Sequence, residues 1–216
     1  MTDTTVKPAV NADIATARAG RRPWAWFLGA VVVAALVAAF VLVWMLRPAY
    51  PGDTSPEAGF ARDMYMHHEQ AVEMSFLIRD RSTDPVIQSI ATDMILTQMS
   101  QMGQMLGWLD VWGLPLTGSE PPMTWMGHGG MPMPGMASRE EMDQLASLEG
   151  TEAEILFLQL MIRHHLGGVP MAEEILRRSD NPVTTRMATS IINAQTIEVE
   201  NMNALLEERG AERLPG

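Results

Sequence analysis

Two pairs of adjacent histidines are the residues of this 216-residue chain that are best suited to chemistry. His67 and His68 lie in the segment DMYMHHEQAVEM, and His164 and His165 lie ninety-seven residues later in LMIRHHLGGVPM. The two segments and the residues that follow them align without a gap, which indicates an internal duplication. Methionines flank both pairs at equivalent positions: Met64, Met74, Met161 and Met171. Imidazole and thioether groups that recur together predict a metal site.

Copper is the metal that this set of side chains favours. Soft thioether ligands discriminate against magnesium, calcium and manganese and select Cu(I), or Ag(I) as its mimic. Zinc binds histidine but gains little from methionine. A di-iron centre in a helical bundle needs four carboxylates with Glu-x-x-His elements. The residues three positions before the four histidines are instead Met64, Tyr65, Met161 and Ile162. The sequence therefore argues against di-iron.

The same residues also have structural interpretations. Methionine on a buried helical face is more often core filler than ligand, and an isolated histidine pair in a helix is more often structural than metal-binding. The duplication of the pair together with its methionines favours the ligand role. Glu69 and Glu73 could accept a hydrogen bond from a histidine N–H in the first copy, but Leu166 and Pro170 occupy the equivalent positions in the second.

A second cluster of soft ligands lies between the two copies. The segment MTWMGHGGMPMPGM contains one histidine and five methionines: His128, Met123, Met126, Met131, Met133 and Met136. Its flexible glycine- and proline-rich backbone would let these ligands gather around a soft ion, so we interpret it as a second, more adaptable copper or silver site or a delivery arm. The alternative is a disordered low-complexity linker.

An apolar segment near the amino terminus predicts a membrane anchor. Trp24 to Leu46 contains no charged residue, and at about 1.5 Å per residue a helix of this length crosses a hydrocarbon core of roughly 30 Å. A cleaved signal peptide usually has an apolar region of only about 7–15 residues. Residues 1–47 carry five basic and two acidic side chains. The positive-inside rule therefore places the amino terminus in the cytoplasm and the body outside the cell membrane.

Charge and cysteine content narrow the class of partner. The ten basic and twenty-four acidic residues beyond Arg47 give a net charge of −14, which argues against nucleic acid and is compatible with attracting cations. The chain has no cysteine, so it forms no disulfide and offers no thiolate. Methionine is then the soft sulfur ligand that remains in an oxidising compartment.

The rest of the chain predicts helices and no strand. We expect helices at 57–81, 85–112, 138–148, 151–178 and 182–209, with a loop at 114–137. Asp84 and Pro85 form one start signal, and Ser138 with Glu141 forms a capping box. Gly167, Gly168 and Pro170 lower the helix propensity just after the second histidine pair and imply a kink there.

Two duplicated helical hairpins with apolar stripes predict an all-α fold, a four-helix bundle preceded by one transmembrane helix. The helices that carry the histidines would then share the interior. We divide the chain into a cytoplasmic tail at 1–23, an anchor at 24–46, a linker at 47–56 and a bundle domain at 57–210 that contains the loop at 114–137.

The two histidine segments resemble a known family. DMYMHHEQAVEM and LMIRHHLGGVPM, the second preceded by GMASREEMDQL, are similar to the paired motifs of the domain of unknown function 305 family. The resemblance covers roughly 58–209. It implies a ferritin-like four-helix bundle, often exported or membrane-anchored, with some members associated with copper binding and copper resistance. The family's histidine and methionine positions map onto the two histidine pairs and their flanking methionines: Met64, His67, His68, Met74, Met161, His164, His165 and Met171.

These observations favour a membrane-tethered extracytoplasmic protein that sequesters, buffers or delivers Cu(I) without chemical turnover. A copper-handling protein of the envelope would be its partner. Two alternatives stay open. One is a copper-dependent oxidoreductase on a ferritin-like bundle, although the chain lacks a carboxylate set for it. The other is a metal-free module that binds another envelope protein.

Overall fold

The computed structural model describes residues 23–45 and 50–215. Nearly all of the predicted cytoplasmic tail, Leu46 at the end of the predicted anchor and the start of the predicted linker lie outside the described residues. The chain divides into two compact units, Met1–Ala49 and Tyr50–Gly216. Each is described here by itself.

The first unit contains one apolar helix, α1, at Pro23–Met45. Its segment Trp26–Met45 is long and apolar enough to cross a membrane, and its side chains are not buried within the protein. A signal sequence near an amino terminus can also pass this test of length and composition. The helix therefore indicates export or membrane anchoring.

The second unit is helical throughout its described residues apart from turns and loops. Its helices are α2 at Pro56–Arg81, α3 at Pro85–Trp112, α4 at Arg139–Ser147, α5 at Gly150–Arg178 and α6 at Pro182–Glu208. A single 3₁₀ turn at Thr124–Met126 interrupts the long loop between α3 and α4. The all-helical bundle that the sequence predicts is thus confirmed, and each helix begins and ends within one residue of its predicted limits.

Local capping explains why those limits were predictable. Asp84 accepts a hydrogen bond from the backbone N–H of Val86, and Asn181, its equivalent in the second copy, accepts one from Val183. A proline occupies the first turn in both helices, where its missing N–H costs nothing. The chain leaves α3 at Gly113, whose φ of 70° lies in the left-handed region that glycine adopts without strain.

The two hairpins meet through their first helices. Helix α2 packs on α3, α5 packs on α6, and α2 packs on α5, whereas α3 and α6 make no comparably close contact among the described helices. The buried apolar side chains form two clusters. One contains Phe60 from the start of α2 and Ile175 from the end of α5, and the other contains Ile78 and Phe157. The two helices therefore run in opposite directions between the clusters.

Candidate metal centre

The four histidines lie between the two apolar clusters, at the middle of α2 and α5. Each of His67, His68, His164 and His165 has no solvent-accessible surface. The rings of His67 and His164, which are equivalent in the duplication, have centroids 3.8 Å apart and planes inclined by 34°. His165 lies further out, with its ring centroid 6.2 Å from that of His164. The two copies thus bring their histidines into one layer of the core.

Each imidazole has an oxygen atom as the partner of its Nε2 atom. Nε2 of His67 lies 3.0 Å from the carbonyl oxygen of Pro134, and Nε2 of His164 lies 2.8 Å from the carbonyl oxygen of His67. A carbonyl oxygen only accepts hydrogen bonds, so Nε2 is the donor in both pairs. Each ring is therefore held in the tautomer that leaves a lone pair on Nδ1.

The outer two histidines follow the same pattern with side-chain partners. His68 Nε2 lies 2.6 Å from Oε1 of Gln101 on α3, and His165 Nε2 lies 2.6 Å from Oε2 of Glu198 on α6. Amide and carboxylate oxygens are acceptors, so these rings also carry their proton on Nε2. Gln101 and Glu198 are equivalent positions in the duplication, but only the second copy has a carboxylate there.

The Nδ1 atoms of all four histidines are buried and have no hydrogen-bond partner in the described residues. The side-chain oxygens Oε1 of Gln98 and Gln195, another equivalent pair, are in the same condition. Leaving a buried polar atom without a partner costs about 1–3 kcal/mol. Six such atoms, four of them imidazole Nδ1 atoms, lie in this one layer of the core.

Burial keeps three of these histidines, His67, His68 and His164, neutral. Desolvation is the main cause that lowers the pKa of His67 to about 4 and that of His68 to about 3. It also holds the pKa of His164 well below its ordinary value, helped by the neighbouring imidazoles, because a charge on one ring opposes a charge on the next. Neutral imidazole is the form that ligates metals, so protons do not compete for these lone pairs at neutral pH.

The acceptors that orient the outer histidines were not identified from the sequence. Glu69 and Glu73, the candidates for that role, are exposed on α2. Gln101 and Glu198 follow their histidines by thirty-three residues in both copies. That repeated interval was visible in the duplication, but only the packing of each hairpin shows that it places the two side chains in contact.

The four flanking methionines are fully buried and lie on both sides of the histidine layer. Met64 and Met171 belong to one apolar cluster, whereas Met74 and Met161 belong to the other. No group of three or more histidine, aspartate or glutamate side chains is arranged to hold a metal ion in the part of the chain that the structure describes. An ion in this layer would therefore combine few imidazoles with thioether sulfur, which suits a soft ion better than zinc.

The methionine-rich loop is anchored to the bundle. Oδ2 of the buried Asp63 accepts hydrogen bonds from the backbone N–H of Met123 at 2.7 Å and from Nε1 of Trp125 at 2.9 Å. Burial is the main cause that raises the pKa of this carboxyl group. Gln70 exchanges two further hydrogen bonds with the backbone of Ala137. These contacts give the loop a defined path over α2, unlike a low-complexity linker.

The six candidate ligands of this loop differ in exposure. Met123 is buried in the apolar cluster that contains Met64, and its φ of 66° is the one positive value at a non-glycine residue in the described chain. The side chains at 126, 133 and 136 are half-buried. His128 and Met131 are exposed to solvent. A second soft-metal site in this loop stays a prediction.

Two adjacent glycines of α5 admit neighbours that a side chain would exclude. A Cβ atom on Gly167 would lie 2.2 Å from the carbonyl oxygen of Pro134, which is the acceptor for His67. A Cβ atom on Gly168 would lie 2.7 Å from Oε1 of Gln195 and 3.2 Å from Cε1 of His67. The glycines therefore shape the histidine layer. Helix α5 continues across Pro170 without a break, so the predicted kink stays a prediction.

Two solved structures are similar to this chain in sequence and fold. A protein from Streptomyces coelicolor described as secreted is 48% identical, with a TM-score of 0.72, and the match covers 76% of this chain and 100% of that one. A fragment from Deinococcus radiodurans is 34% identical, with a TM-score of 0.61, over 75% of this chain and 99% of that one. Both are described as proteins of the domain of unknown function DUF305.

More distant likenesses concern the fold or a short segment. CopM in its Cu(I)-bound form is 20% identical, with a TM-score of 0.56, over 73% of this chain and 97% of that one. This likeness shows a shared helical fold. An uncharacterised protein of Acanthamoeba polyphaga mimivirus is 38% identical over 53 residues, which are 24% of this chain and 35% of that protein. The chain thus matches about a third of the length of that relative.

The model of one protein family matches most of the bundle unit. It covers residues 57–206, which include both histidine pairs, the loop between α3 and α4, and all of the helices that form the bundle core. The resemblance that the two histidine motifs indicated is confirmed: this chain belongs to the family of the domain of unknown function DUF305.

Proposed function

We propose that this protein binds Cu(I), or Ag(I) in its place, through histidine and methionine side chains, and that it sequesters, buffers or delivers the ion without chemical turnover. The observation that carries the proposal is the set of four buried Nδ1 atoms without a partner. Soft ions that each accept lone pairs from a few of these imidazoles would remove the cost of burying them. Copper is here a cargo and not a resident cofactor.

The ligand assignment follows from the tautomers. With Nε2 committed to an oxygen acceptor in His67, His68, His164 and His165, the ligand atom on each ring is Nδ1. Hydrogen bonding of the other ring nitrogen is the usual way in which proteins orient a ligating imidazole. The sulfur atoms of Met64, Met74, Met161 and Met171 border the layer on both sides and would supply the soft ligands that select copper over zinc.

The copper-bound neighbours support the choice of cargo. CopM structures with Cu(I), Cu(II) and Ag bound share the bundle fold with this chain. Their identity of 19–22% carries the fold and not the ligand set.

We further propose that α1 is an uncleaved anchor that places the bundle outside the cytoplasmic membrane. The charge bias of residues 1–47 supports this topology, and the Streptomyces relative that is described as secreted supports export. A Cu(I)-handling protein of the envelope is then the class of partner that would supply or accept the ion.

The test is an anaerobic competition titration of the full-length protein in detergent, with Cu(I) and a chromogenic Cu(I) chelator. The variant has His67, His68, His164 and His165 changed to alanine, and His128→Ala is the matched control outside the layer. We expect the parent and the control to withdraw copper from the chelator and the fourfold variant to fail, with circular dichroism to confirm that it remains helical. A parent that does not compete, or a folded fourfold variant that binds like the parent, would refute the site.

A further inference from the structure

A small cavity lies between α3 and α6, on the side of the histidine layer away from the α2–α5 contact. Its volume of about 10 Å³ is close to the room that one water molecule needs. It is lined by equivalent residues of the two copies, and three of the pairs matter here: Thr97 and Ala194, Gln98 and Gln195, and Gln101 and Glu198. The two halves of the duplication therefore line the cavity symmetrically.

Two residues of the cavity wall contact histidines of the layer. Gln101 and Glu198 line the cavity and hold Nε2 of His68 and His165. A Cβ atom placed on Gly168 would lie 2.7 Å from Oε1 of Gln195 and 3.2 Å from Cε1 of His67, so these two side chains lie close to one another. The cavity wall and three of the four imidazoles are thus in contact or separated by a single side chain.

The polar atoms of the cavity wall suit a passing cation. Gln98 and Gln195 are at most 4% exposed, and their amide oxygens have no hydrogen-bond partner among the described residues. Amide oxygen is a hard ligand, so it holds a soft ion such as Cu(I) only weakly. The side chain of Glu198 is 33% exposed and joins the outer end of the cavity to His165. A carboxylate in that position attracts cations from solvent.

The two sides of the histidine layer differ in how they are closed. On the α2–α5 side, the loop backbone is held by Gln70 and packs against Gly167 at a distance that excludes even a methyl group. On the other side, α3 and α6 are not among the closely packed helix pairs of the described chain.

We propose that the ion enters and leaves the histidine layer between α3 and α6, through this cavity. Glu198 captures it at the outer end, and the oxygens of Gln98 and Gln195 pass it inward to the imidazole Nδ1 atoms. The inference rests on the proposed function, because it names the route to that same site. It also makes the methionine-rich loop a cover of the site and not its entrance.

The test blocks the cavity without touching the histidines. Thr97 is exposed and Ala194 is half-buried, so a Thr97→Phe and Ala194→Phe double variant places two rings over the opening. The matched control is Leu96→Phe with Ile197→Phe, at positions that are 64% and 63% exposed on the same two helices. Stopped-flow mixing of the full-length protein with the Cu(I)–chelator complex gives the capture rate, and mixing of loaded protein with excess chelator gives the release rate.

We expect capture and release in the double variant to slow by the same factor, about tenfold or more, with the dissociation constant unchanged, since a blocked route raises one barrier in both directions. The control should keep the rates of the parent. A second variant, Thr97→Lys, covers the case in which the double variant does not fold. The positive charge of Lys at position 97 should repel the ion, so the capture rate should fall in low salt and return to that of the parent in high salt. Leu96→Lys should leave the capture rate unchanged.

The outcomes separate the two proposals. If the parent binds copper and both cavity variants keep its rates, the route is wrong and the site stands. If Gly167→Ala, which displaces the loop, speeds capture while the cavity variants do not slow it, the entrance lies under the loop. If the parent binds no Cu(I), the proposed function and the route fall together.

Discussion

At the scale of single residues, the partner of one ring nitrogen decides what the other nitrogen of a histidine can do. All four imidazoles of the central layer present Nε2 to an oxygen acceptor and leave Nδ1 unpartnered. The histidine pairs and their duplication were readable from the sequence. The tautomers were not, because they depend on Pro134, Gln101 and Glu198, which the fold brings from other elements.

The difference between Gln101 and Glu198 gives the first prediction. A carboxylate that accepts from Nε2–H makes Nδ1 of the same ring a stronger donor to a metal, so Glu198→Gln should weaken Cu(I) affinity by about 10–100-fold. The measurement is the competition titration with the full-length protein. The control is Glu200→Gln, which removes an exposed carboxylate of α6 that pairs with Arg213 beyond the end of the helix. Equal affinity of Glu198→Gln and parent would show that Glu198 does not act on the ligand.

The lowered pKa values predict how the metal-free protein responds to acid. His67 and His68 have ordinary values of 6.5 and fall to about 4 and about 3 in the folded protein. Between pH 6.5 and about 4 these histidines bind protons in the unfolded chain but not in the folded chain. The free energy of unfolding therefore falls as the pH falls through this window. Each such histidine contributes up to about 1.4 kcal/mol per pH unit in this window.

Denaturant titrations of the full-length protein in the presence of a chelator, at intervals from pH 7.5 to 5, would measure this dependence above the ordinary pKa values of carboxyl groups, with the exception of the buried Asp63, whose pKa is raised. The His68→Gln variant should show a smaller slope than the parent. A parent with no loss of stability between pH 7 and 5 would contradict the neutral, buried state of the histidines.

At the scale of elements, the sequence predicted what depends on neighbours along the chain and missed what depends on neighbours in space. Helix limits follow from caps such as Asp84 and Asn181, which act within three residues of themselves. In the sequence, Gly167 and Gly168 only lowered the helix propensity of α5. Their role depends on residues from other elements of the fold. The first admits the loop backbone, and the second admits Gln195 and His67.

The close approach of the loop predicts the effect of one methyl group. A Cβ atom on Gly167 would meet backbone atoms of Pro134 and Gly135 at 2.2–2.7 Å, and backbone cannot rotate away as a side chain can. Gly167→Ala should therefore destabilise the protein by about 1–3 kcal/mol through overpacking, in spite of the better helix propensity of alanine. Thermal unfolding followed by circular dichroism measures the change.

Gly103→Ala provides the matched comparison. Gly103 lies inside α3, and a Cβ atom there would meet nothing within 4 Å. The same substitution should stabilise the protein there by about 0.5–1 kcal/mol. If both variants shift the unfolding temperature in the same direction, the loop does not bear on α5 as described.

At the scale of the whole bundle unit, the duplication explains why a buried polar layer divides an apolar core. Two copies of one hairpin meet through α2 and α5, so each feature of the first copy recurs opposite itself in the second. The histidines of the two copies meet in the middle. Equivalent methionines of the two copies lie in different apolar clusters. The repeat predicted that the two histidine helices share the interior of the bundle. It did not predict that the flanking methionines lie on both sides of the histidine layer, and the fixed path of the loop over α2 could not be inferred from its composition.

The most direct test of the central claim observes the ring nitrogens themselves. Long-range proton–nitrogen correlation spectra of the full-length protein, labelled with ¹⁵N in histidine, report which nitrogen of each ring carries the proton. We predict Nε2–H for the four core histidines in the chelated protein. When Ag(I) is added until the spectra stop changing, we predict a large shift of Nδ1 but not of Nε2 in these rings. Protons on Nδ1, or core Nδ1 signals that do not respond to Ag(I), would contradict the account.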